Sequence, residues 1–198
     1  MWDVPSEPRS LLRALVAGVA PHDAKEAADR QWMLDWVDSG AQLYRLAKPA
    51  TPPQHLAVYA ALVDEHRRSV MLVDHVKAKA WVMPGGHVDE GEDPRRTVVR
   101  ELDEELRITP RFHPAFGSAP MFLTVTQTRG ADSHTDVTLW FVFEGDQQVP
   151  ITPDAAEFTD VRWFGLDDGT CWAAGQFDPG MARFMAKLSA ALERVGGP

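Results

Sequence analysis

The segment 94–107, PRRTVVRELDEELR, constrains this chain more than any other. At roughly 100° per residue, Val98, Val99, Leu102 and Leu106 fall on one arc of a helix and must face a core. Glu101, Glu104 and Glu105 share the neighbouring arc at i, i+3, i+4 spacing, where like charges destabilise a helix unless something positive offsets them. A hard divalent cation, magnesium or else manganese, is the natural offset, because such ions take carboxylate oxygens. Asp93 caps this helix and Pro94 occupies its first position. Just ahead lies GGHVDEGE, residues 85–92. Gly85 and Gly86 permit close backbone approach and bring a carbonyl, that of Gly85, near the carboxylates. Glu92 precedes Arg100 by eight residues, and a bidentate pair between them would hold the loop on the helix.

The flanking sequence predicts strands around this helix. His55 to Asp64 and Ser69 to His75 are apolar runs joined by the charged turn 65–68, a hairpin pattern. Further strands are expected at Ala80 to Met83, Met121 to Thr128, Val137 to Glu144 and Asp160 to Phe164, and a closing helix from Pro179 to about Arg194. Strands around one central helix with a second at the end predict an α+β or α/β sandwich with a mixed sheet. Two more helical patterns open the chain, from Pro8 and from His22, with Asp23 as cap and Gly40 as terminator of the second. The proline-rich stretch 48–53 then marks the one composition break. It divides an N-terminal helical extension, 1–48, from a main domain, 49–198.

The spacing Gly86, five residues, Glu92, seven residues, then Arg100-Glu101-Leu102-Asp103-Glu104-Glu105-Leu106-Arg107-Ile108 resembles the Nudix box, G-x5-E-x7-R-E-U-x-E-E-x-G-U with U aliphatic. One position departs: Arg107 stands where the family has a glycine that lets the helix end and the chain turn. Residues 81–86, WVMPGG, also look like the strand and loop that lead into a Nudix box. The resemblance implies an α/β/α sandwich and hydrolysis of a nucleoside diphosphate linked to another moiety. It implies metal held by Glu101, Glu104 and Glu105, with Gly85 contributing, and Glu92 orienting Arg100 or joining the metal site. In the family a glutamate outside the box sometimes serves as base, and Glu157 is that candidate here.

Substrate contacts are expected from His87 in the loop, Lys77 before it, and Arg129 and His134 near the later strands. Trp81 and Trp140 are better placed as core residues than as nucleobase platforms. The spacings of His75, His87 and His134 are long, and no cysteine or i, i+4 histidine pair supports a zinc set. With 29 acidic against 20 basic residues the net charge is −9, which opposes polyanion binding. The expected partner is therefore a small diphosphate, not a nucleic-acid polymer. Cys171 is the single cysteine, expected as a buried or half-buried small side chain. It offers no disulfide and fits a cytoplasmic protein. No run of about 18 apolar residues suggests a membrane span. The apolar stripes of the first two helices dock on the domain or form a homodimer. Two other classes stay open: a non-catalytic nucleotide-binding module, which should lose box glutamates, and an isoprenoid diphosphate isomerase, which needs a cysteine in the site.

Overall fold

The computed structural model describes residues 7–128 and 133–195. Helices α1, Pro8–Gly18, and α2, Ala24–Asp38, precede strands β1, Gln54–Asp64, β2, Ser69–His75, β3, Ala80–Val82, and β4, Gly85–His87. Helix α3, Pro94–Leu106, is followed by β5, Phe122–Gln127, β6, Thr135–Glu144, β7, Phe158–Gly165, and α4, Met181–Val195. Every expected helix and strand is present. The sheet is mixed: β1 runs parallel to β6 from Gln54↔Thr135 to Val63↔Glu144 and antiparallel to β2 and β4. Strand β5 pairs with β6, while β2 carries β3 and β7.

Alternation along the strands sorts side chains between two layers. Leu56, Val58, Ala60 and Leu62 of β1 join one core with Val98, Leu102 and Leu106 of α3 and with residues of α1 and α2. Ala61 and Val63 face the other core, filled by Phe184, Met185 and Leu188 of α4. A strand with both faces covered reads as a near-continuous apolar run, as β1 does from Leu56 to Val63. The result is an α/β/α sandwich. Trp140 is fully buried, its Nε1 donating to Thr124 Oγ1 at 3.1 Å. Cys171 departs from expectation: it is exposed, because the segment between β7 and α4 runs over the surface.

The residues taken as a glycine loop form a strand, β4, with Gly85 opposite Tyr59 and Gly86 opposite Val58. Alternating hydrophobicity cannot signal a strand made of glycine. Gly85 has φ +152°, and a Cβ there would lie 2.0 Å from the Val58 carbonyl oxygen, so no other residue could pair so closely.

The apolar stripes of α1 and α2 are buried within the chain itself, through Leu12, Val16, Met33 and Val37. Polar contacts brace the same docking. Lys187 of α4 donates to Glu26 at 2.7 Å and to the Ala20 carbonyl at 2.6 Å, and Glu26 is wholly buried. Arg183 makes two 2.8 Å bonds to Asp23, which also caps α2 by accepting from the Glu26 amide. Removing one partner of a buried pair leaves an uncompensated charge. Lys187→Ala is expected to cost about 3–5 kcal/mol in urea denaturation.

Arg107 ends α3 in the left-handed region, φ 56°, ψ 41°, with its amide bonded to the Asp103 carbonyl. A side chain is disfavoured there by about 1 kcal/mol. Arg107→Gly is therefore expected to be neutral or to stabilise by up to about 1 kcal/mol in the same assay, since the strain relieved offsets glycine's larger unfolded-state entropy.

Candidate active site

A cleft of about 800 Å³ opens where β4, α3, the β2–β3 turn and the ends of β5 and β6 meet. Its acidic wall comes from α3. Glu105 is 6% exposed and accepts the Gly85 amide at 3.1 Å. Burial, then the charges of Glu101 and Glu157, push its carboxyl up to about 8. Glu101 is raised as well, again by burial first. The Glu101 carboxylate occupies the space a side chain on Gly86 would fill: a Cβ there would lie 2.6 Å from it. Gly85 and Gly86 thus admit two helix carboxylates against the sheet. Glu104 is more exposed, reached through Arg100 Nη1 at 3.1 Å.

Arg100 holds the segment between β4 and α3. Its guanidinium donates to both oxygens of Glu92, at 3.3 and 3.1 Å, and through Nη1 to Glu101 at 3.0 Å. Burial alone would raise the Glu92 carboxyl, but hydrogen bonds from Arg100 and Thr97 outweigh it and hold the group below its usual range. The expected loop clamp is formed. Among the described residues, carboxylates still outnumber the one guanidinium beside them, and the donor to Glu105 is a backbone amide. An all-oxygen donor set with excess negative charge fits a hard divalent cation.

Glu157, in the turn before β7, lines the same cleft, close enough to bear on Glu105 and Glu101. Lys77 and Lys79 reach the cleft from the β2–β3 turn, and Arg45 and Lys48 from the segment before β1. Arg129 lies outside the described residues. His75 borders the cleft at the end of β2, edge-on to Phe158 at 5.6 Å. Trp81 packs edge-on to Phe164 at 5.1 Å.

The opposite corner holds a group that sequence spacing failed to reveal. His87 and His134 converge with His55 and Asp136. Asp136 Oδ1 lies 3.2 Å from His87 Nε2 and 3.1 Å from His134 Nε2. Burial would raise the Asp136 carboxyl, but these two histidines hold it far below its usual range. Burial also drives His55 down to about 4. His55 and Asp136 stand opposite each other in the parallel β1–β6 register. The signal was a histidine near the head of each of two strands, legible only once their pairing is known.

A family model described as NUDIX domain matches residues 53–188, and the chain belongs to the Nudix family. It is 33% identical over 99 residues to an RNA pyrophosphohydrolase of Cereibacter sphaeroides, covering 45% of this chain and 61% of that protein. It is 29% identical over 116 residues to a CMP-5'-(N-acetyl-N-hydroxy-3-aminopropyl)phosphonate hydrolase of Streptomyces rubellomurinus, covering 57% and 52% respectively. The chain thus spans less than two thirds of these relatives. Among solved structures, the NUDIX domain of Shewanella oneidensis NrtR complexed with ADP ribose superposes with a TM-score of 0.54 at 22% identity, covering 70% of this chain and 88% of that one. A NUDIX-family hydrolase from Clostridium perfringens gives 0.51 at 19% identity, covering 71% and 97%. These likenesses support the sandwich fold.

In chelator, Glu105 sets a pH signature. Its folded value, about 8, lies above the ordinary 4.5, so the folded chain binds this proton more tightly than the unfolded one. The contribution of Glu105 to stability is full below about 4.5 and is lost as pH rises through about 8. Glu105→Gln cannot titrate. Denaturation midpoints measured from pH 5 to 9 are expected to show the variant gaining on the parent as pH rises, with His55, common to both, cancelling.

Proposed function

We propose that this chain is a magnesium-dependent pyrophosphohydrolase of cytoplasmic small molecules, cleaving the diphosphate of a nucleoside diphosphate linked to another moiety. The observation that carries the proposal is the convergence of Glu101 and Glu105 beside Gly85 and Gly86 in one large cleft, with Glu104 joined to them through Arg100. A bound divalent ion, magnesium or else manganese, would neutralise the diphosphate and make water a stronger nucleophile at neutral pH.

The remaining roles belong to the chain's own groups. Glu101, Glu104 and Glu105 present the oxygens, together with the Gly85 backbone. Arg100 and Glu92 fix the segment that carries them, and Gly86 leaves room for Glu101. Glu157, outside the box yet on the same cleft, is the group we assign to take the proton of the attacking water. Lys77 and Lys79 supply local positive charge to a substrate that the net charge of −9 would otherwise repel. His87 and His134 border the cleft but are engaged with Asp136, so phosphate contact falls first to the lysines, with Arg129 as a further candidate. The same proposal takes 49–198 as the catalytic unit and 1–48 as its extension. The acidic balance favours a small substrate over RNA. No described helix is long and apolar enough to cross a membrane.

The test is release of phosphate or nucleotide from nucleoside triphosphates, ADP-ribose, nucleotide sugars and dinucleoside polyphosphates, with magnesium or with chelator. Metal-dependent release from one class is expected, and Glu105→Gln should lower kcat by about 100-fold or more in a chain that still folds. Ligand-induced thermal stabilisation without turnover of any compound would instead define a nucleotide-binding module.

A further inference from the structure

We propose that His55, His87, His134 and Asp136 form a four-ligand site for a divalent transition metal, zinc by preference, distinct from the carboxylate set on α3. The argument begins at His55, which is fully buried. Its Nδ1 lies 3.0 Å from the Pro52 carbonyl. A carbonyl only accepts, so Nδ1 carries the hydrogen and the neutral ring presents a bare lone pair at Nε2. Among the described residues that Nε2 has no hydrogen-bond partner. Asp136 Oδ1 lies 3.7 Å from it. A lone pair aimed at a carboxylate in a buried corner is repulsive. Protonating the ring does not mend the contact, because 3.7 Å exceeds a hydrogen bond. A cation between the two groups does.

The other distances suit such an ion. Asp136 Oδ1 is 3.2 Å from His87 Nε2 and 3.1 Å from His134 Nε2, and all four ligand atoms lie within 4.8 Å of one another. A tetrahedral ion with bonds of about 2.0–2.1 Å spaces its ligands by roughly 3.3–3.4 Å, so modest contraction completes the shell. The outer contacts are of the kind that orient metal-binding imidazoles: the Pro52 carbonyl on His55 Nδ1, and Thr128 Oγ1 at 3.3 Å from His134 Nδ1. Three imidazoles and one carboxylate favour zinc or a neighbouring transition metal over magnesium.

Four protein ligands leave no open position, which makes the site structural. Its ligands come from β1, from β4, and from Asp136 of β6 with His134 just ahead of that strand. An ion there would tie β4, the strand whose Gly85 amide meets Glu105, to the centre of the sheet.

The experiment reads metal binding, not hydrolysis, so it stands or falls apart from the proposed activity. The full chain, stripped with chelator, is titrated with zinc in excess magnesium. Imidazole nitrogens are followed by NMR, and cobalt is substituted for a visible spectrum. One equivalent of zinc should be retained, three of the seven histidines should shift together, and cobalt should give the intense absorption of a tetrahedral site. Asp136→Asn and His87→Ala should weaken zinc at least about 10-fold, while the double change Glu101→Gln with Glu105→Gln should leave it unchanged. Absence of zinc binding in the folded parent overturns the proposal. So does loss of binding in the glutamate variant with retention in His87→Ala, or binding without histidine shifts, and these parental readouts hold even where a variant fails to fold.

Discussion

The close approach of a glycine backbone to two buried carboxylates is the constraint on which this structure turns. Gly85 pairs with β1 where a Cβ would strike the Val58 carbonyl, and Gly86 leaves the space that the Glu101 carboxylate fills. Helix α3 can then lie against the sheet with Glu105 buried. Burying a carboxylate is costly unless it is paired or neutralised, and burial leaves Glu105, despite the Gly85 amide it accepts, holding its proton up to about pH 8. Binding of a divalent cation at the site would displace that proton. The stability needed to hold the site comes from elsewhere in the chain.

That support has two sources. Arg100 clamps Glu92 and so fixes the chain between β4 and α3, since both oxygens of Glu92 meet the guanidinium. The N-terminal helices complete an apolar layer shared with α3, and the ionic contacts of Asp23 and Glu26 to α4 tie α2 across the fold. Because α1, α2 and α3 contribute to one core, loosening the extension would be felt at the carboxylates.

The sequence carried the local parts of this arrangement and not the long-range ones. Helix α3 was legible from its Asp93 cap, its proline and its apolar stripe, and the β1–β2 hairpin from two apolar runs with a charged turn between them. The Arg100–Glu92 clamp could be expected because both residues lie within eight positions. Strand β4 was not legible, since glycine has no side chain to show a pattern, and its pairing is fixed by what β1 leaves open. Cys171 was misjudged because small side chains carry little information about burial when their segment is irregular. The His55–Asp136 juxtaposition depends on a parallel register spanning some eighty positions.

The two donor sets on the cleft are segregated by secondary structure as well as by chemistry. Carboxylates come from one helix, where i, i+3, i+4 spacing gathers like groups from a short segment. Imidazoles come from neighbouring strands, where side chains from distant positions meet across the ladder at about 4.5–5.5 Å between Cβ atoms. A helix can therefore write an acidic site into a short motif. A strand site has no such motif and exists only once the sheet has formed. In this chain β4 belongs to both, since Gly85 meets Glu105 and His87, two residues on, meets Asp136. Any displacement of that three-residue strand moves both corners of the cleft together.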